Sequence, residues 1–199
     1  MKTDLIPVSG KTAQFEAALE QADKMAAYKE LTGKNALHLR LLTEEMMGMM
    51  RSITGKPEGT FWIEEQDGEY QLHLQVRKQL NEEERKQLLS ASSKGKNESA
   101  KGLMGRLRDF FYLPDEGEIY SGPLATPDMY EHASSPMLDW EWSMTHYERS
   151  LNTRMEKGDD TAREAWDELE KSVVKNVADD VKVFIRNGNV EMVILKEMA

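Results

Sequence analysis

The chain has 199 residues, 36 acidic and 26 basic, so its formal net charge is −10 at pH 7. Such a surface repels nucleic-acid phosphates and anionic membranes. Because the chain has no cysteine, disulfides, thiolate catalysis and cysteine metal sites are excluded. No segment has the roughly 18 continuous apolar residues of a membrane helix, and no apolar run of signal length begins the chain. We therefore expect one sizeable soluble, cytoplasmic domain that binds neither nucleic acid nor membrane.

The first part of the chain predicts a strand, two helices and a β-hairpin. A short apolar stretch at 5–8 reads as an edge strand. Apolar residues at helical spacing predict helices over 10–32 and 35–54. Strands are predicted at 60–64 and 70–76, the second with clean apolar and polar alternation. The strand at 70–76 is therefore expected to bury one face only.

A glycine- and lysine-rich stretch at 94–105 leads into a helix predicted over 100–113. Glycine lets a backbone approach a ligand closely, and a helix N-terminus offers free N–H groups. The combination suits a phosphate group. The alternative interpretation is a flexible loop followed by a core helix.

Residues 114–136 carry four prolines and no sustained period, which is typical of a functional or mobile loop. A helix is predicted from Trp140 to about residue 156, and a second one is predicted to be capped by Thr161. Asn187 and Gly188 form the turn of a closing hairpin over 181–196. The whole pattern predicts a two-layer α/β (α+β) sandwich with a mixed, mostly antiparallel sheet and its helices on one face.

The order of these elements resembles the GHKL superfamily of ATP-binding domains, the gyrase and histidine-kinase type. The nearest branch is that of the bacterial anti-sigma-factor serine kinases. Residues 41–49 are similar to the N-box helix, 100–107 to the lid and glycine box, and 181–196 to the closing strands. The resemblance implies a Bergerat-like fold.

The same resemblance divides the chain into two parts. Residues 1–113 and 181–199 would form the ATPase-type domain. Residues 114–180 would be an insertion, a loop plus two helices, packed on that domain.

The resemblance also implies an ATP and magnesium site. Glu45 occupies the position of the catalytic glutamate, but Met49 occupies that of the magnesium-binding asparagine. A thioether is a poor ligand for this hard cation. Lys78 occupies the position of the aspartate that accepts from the adenine amine, and lysine can only donate. We therefore expect no metal ligand and no tight magnesium–ATP binding.

The phosphate side of that site keeps the family's residue types. Its expected cofactor-binding residues are Lys94, Gly95, Lys96, Lys101, Gly102, Leu103 and Gly105. The four histidines, in contrast, have no spacing that indicates a metal site: they are His38, His73, His132 and His146. Alternation places His73 on the polar face of its strand, where an ordinary surface histidine is expected.

Three functions are compatible with this sequence. The first is a degenerate regulatory protein that binds a protein partner, such as a sigma factor or an anti-anti-sigma-like protein. The second is a working ATP-dependent serine kinase or ATPase with Glu45 as its catalytic residue. The third is a structural domain whose insertion carries an unrelated activity. The oligomeric state stays open, and a homodimer is one of the alternatives.

Overall fold

The computed structural model describes residues 1–9, 12–54, 58–77, 140–186 and 189–198. Within these ranges the chain forms an antiparallel sheet and a layer of helices. The elements in chain order are β1 (Ile6–Val8), α1 (Thr12–Tyr28), α2 (Gly33–Thr54), β2 (Gly59–Gln66), β3 (Glu69–Arg77), β4 (Trp140–Ser143), α3 (Met144–Glu156), α4 (Asp160–Glu170), α5 (Val173–Val177), β5 (Asp180–Arg186) and β6 (Asn189–Glu197).

The six described strands form one sheet in the order β1-β2-β3-β6-β5-β4. Every neighbouring pair is antiparallel. The last strand, β6, lies between β3 and β5, so it joins the hairpin from the first part of the chain to the C-terminal one. The predicted closing hairpin is confirmed by the pairing of β5 with β6, and its turn at 187–188 lies outside the described residues.

Alternation along the strands gives the sheet one apolar face. One row across it pairs Phe61 with Leu74, Leu74 with Met192, and Met192 with Val183. All four side chains are fully buried, and they share one core cluster with residues from the described helices. The prediction of a two-layer α+β sandwich is therefore confirmed, but the described sheet is entirely antiparallel, whereas a mixed sheet was predicted. The helix predicted at 100–113 lies outside the described residues.

Residues 140–180 contribute to this same core. Met144 and Leu151 of α3 and Leu169 of α4 belong to the buried cluster, and β4 extends the sheet beside β5. The described part of the predicted insertion thus holds a strand and three helices, whereas the sequence predicted two helices. The division of the chain into an ATPase-type domain and an insertion stays a prediction.

The predicted helix from Trp140 is wrong over its first turn. Trp140–Ser143 forms a strand, and α3 begins at Met144. Ser143 ends the strand and caps the helix, since its Oγ accepts a hydrogen bond from the N–H of His146 at 3.2 Å. Trp142 pairs with Val183 and packs, partly buried, against the core. The alternation of apolar and polar residues here has the period of a strand.

The predicted cap of α4 is also wrong by two residues. Asp159, and not Thr161, caps the helix: its Oδ1 accepts from the N–H of Thr161 at 2.9 Å and of Ala162 at 3.3 Å. Arg154 of α3 donates to the other carboxylate oxygen at 2.7 Å. A carboxylate is favoured over a hydroxyl here because its charge also interacts with the positive end of the helix dipole.

Replacing Asp159 by alanine should lower the midpoint of thermal unfolding in a pH-dependent way. Hydrogen bonds from the Thr161 hydroxyl and from Arg154 lower the pKa of Asp159 from 3.8 to about 2. The charged form therefore stabilises the fold above pH 3.8, and this contribution is lost as the pH falls through about 2. Circular dichroism melts from pH 7 downwards should show the gap to wild type closing in that window. Asp160→Ala, which leaves the cap in place, is the control; a gap that is constant with pH would contradict this role.

No helix in the described ranges has both the length and the apolar character needed to cross a membrane.

Candidate functional site

The predicted catalytic residue, Glu45, lies on α2 at the border between the core and the solvent. Its side chain is half-buried, whereas its neighbour Glu44 is exposed and Met46 is fully buried. A half-buried carboxylate does not have to find a protein partner, because water still reaches it. Glu45 can therefore either contact a substrate or be an ordinary residue at the edge of the buried face of α2.

Met49 lies one helical turn after Glu45 and belongs to the core. Its side chain is only 6 % exposed, and it is part of the hydrophobic cluster together with Met46 and Met50. The unbranched thioether of methionine fills irregular space in such a core. Thus a packed apolar group occupies the place where the GHKL resemblance would put a magnesium ligand.

The other predicted site residues lie outside the described ranges. This holds for the Lys78 position and for the whole phosphate side, namely Lys94, Gly95, Lys96, Lys101, Gly102, Leu103 and Gly105. Their roles stay predictions. Among the described residues, no three histidine, aspartate or glutamate side chains are placed to hold a metal ion.

The histidine of α2, His38, lies near the charges of Asp179 and Lys196. Burial lowers the pKa of His38, the positive charges of Lys34 and Lys196 act in the same direction, and Asp179 opposes them. Lys196 and Asp179 form an ion pair of 2.7 Å between Nζ and Oδ1. The Nδ1 atom of His38 is buried and has no hydrogen-bond partner. Near neutral pH this imidazole is therefore uncharged, and it stands on the same flank of α2 as Glu45.

The sequence patterns did not predict a cluster of side chains on the sheet face away from the described helices. His73 lies on the predicted face, but its side chain is buried and not an ordinary surface group. Its ring stacks on that of Trp62, with the centroids 4.7 Å apart and the planes inclined by 6°. The Nζ of Lys2 lies 4.8 Å from the Trp62 ring, which adds a cation–π contact.

Two carboxylates hold this cluster in place. The Nδ1 atom of His73 lies 2.9 Å from Oε1 of Glu191. Glu64 accepts from the Trp62 indole at 2.8 Å and from Lys2 at 2.9 Å. The hydrogen bonds from Lys2 and then Trp62 lower the pKa of Glu64, and the nearby His73 contributes in the same direction. Glu64 is therefore ionised at neutral pH.

The turn between β2 and β3 sets the register of the two strands, and this register predicts the stacking of Trp62 on His73. Asp67 and Gly68 form a tight turn with positive φ angles of 53° and 89°, and Gln66 pairs with Glu69. Counting back from that pair puts Trp62 directly opposite His73. Cross-strand aromatic pairs of this kind stabilise a sheet, so a structural role accounts for the stack.

Comparison of the chain with protein-family models, with curated proteins and with solved structures found no match.

Proposed function

We propose that this protein is a GHKL-like regulatory protein of the anti-sigma-factor type that acts by binding a protein partner and has a degenerate nucleotide site. The order of elements supports the proposal: β1, α1, α2 with Glu45, the β2–β3 hairpin and the closing β5–β6 hairpin follow one another as the resemblance implies. The partner would be a sigma factor or an anti-anti-sigma-like protein. A cytoplasmic location, where such partners act, belongs to the same proposal.

The burial of Met49 is the observation that supports the hypothesis of a degenerate nucleotide site. A GHKL enzyme needs a side-chain oxygen for magnesium at this position, one turn after its glutamate. Here the side chain is 6 % exposed and packs in the core. A buried thioether neither binds magnesium well nor leaves room for the hydrated ion. The net charge of −10 additionally favours association with a basic protein surface.

Substitutions at Met49 test this reading. Met49→Asn should lower the free energy of unfolding by about 2–4 kcal/mol, because it removes apolar contacts and buries an amide. Met49→Leu, which keeps the volume, should cost less than about 1.5 kcal/mol. Thermal unfolding with and without magnesium–ATP measures both effects, and we expect the nucleotide to leave all the midpoints unchanged.

Two outcomes would contradict the degenerate reading. One is a rise of the wild-type midpoint with magnesium–ATP, since a ligand at 100 times its Kd stabilises the folded state by about 2.7 kcal/mol. The other is a Met49→Asn protein that keeps its stability and gains magnesium-dependent ATP binding. That result would place the side chain of residue 49 in a nucleotide site and not in the core.

The second candidate is an active serine kinase or ATPase. The half-burial of Glu45 favours it, because water or a substrate hydroxyl could reach the carboxylate and be activated by it. Transfer of labelled phosphate from ATP to a serine of a partner protein, or release of free phosphate, would identify this activity. Its loss in Glu45→Gln would assign the general base.

A further inference from the structure

We draw no further inference here: the strongest candidate, the Trp62–His73–Glu191 cluster on the sheet face away from the described helices, leaves Nε2 of His73 without a hydrogen-bond partner, but that nitrogen is sealed from solvent and nothing in the described residues points to a ligand for it.

Discussion

Replacing Phe61 by alanine is expected to lower the free energy of unfolding by about 3–5 kcal/mol. Phe61 is 0 % exposed and lies on the apolar sheet face, opposite Ile6 on β1 and Leu74 on β3. The substitution removes a whole ring and leaves a cavity that the strands cannot close without losing their pairing. Urea denaturation followed by far-ultraviolet circular dichroism measures the change.

Tyr28 is the matched control, because it is also aromatic but is 71 % exposed. Tyr28→Ala should change the free energy of unfolding by no more than about 0.5 kcal/mol. A loss below about 1 kcal/mol for Phe61→Ala would contradict the two-layer packing, since it would mean that the ring is not buried between the sheet and the helices.

Adding one methyl group at Gly59 should disrupt the pairing of β2 with β3. A Cβ at this position would lie 2.3 Å from the backbone oxygen of Gln75, and only a shift of the strands could relieve that clash. Gly59 pairs with Val8 on one side and Val76 on the other, so the strain affects three strands. We expect Gly59→Ala to cost about 1–3 kcal/mol or more, measured by the same denaturation experiment.

Gly48 is the matched control for this substitution. It is exposed, lies within α2, and has open space where a Cβ would be. Gly48→Ala should therefore raise the stability by about 0.5–1 kcal/mol, because alanine loses less backbone entropy in a helix. Equal effects of the two substitutions would contradict either the close approach at Gly59 or the helical environment of Gly48.

The sheet was predictable where local patterns decide the structure. The alternation of Tyr70, Leu72, Leu74 and Val76 gave the buried face of β3, and all four are buried. The Asn187–Gly188 turn signal gave the closing hairpin. The edge strand β4 was missed because its four residues, Trp140–Ser143, show only two apolar–polar repeats and directly precede a helix. Its pairing with β5 is a long-range interaction that the local pattern does not contain.

The environment of single side chains was harder to predict. Alternation put His73 on the right face of β3, but its burial depends on Trp62 across the hairpin and on Glu191 of β6, far away in the chain. The helical pattern of α2 likewise put Glu45 and Met49 on neighbouring positions of one stripe. The packing of the helix against the core decides that the carboxylate of Glu45 is half-buried and the thioether of Met49 is buried.

Calorimetric titration of the full chain with magnesium–ATP and with ADP tests the central claim most directly. The account predicts no binding heat at micromolar nucleotide, because Met49 is packed in the core and Lys78 cannot accept from the adenine amine. Glu45→Ala and Gly102→Val are titrated in parallel, since they would remove the family's general base and a glycine of its lid. Micromolar affinity in the wild type that collapses in both variants would contradict the degenerate reading and establish a working nucleotide site.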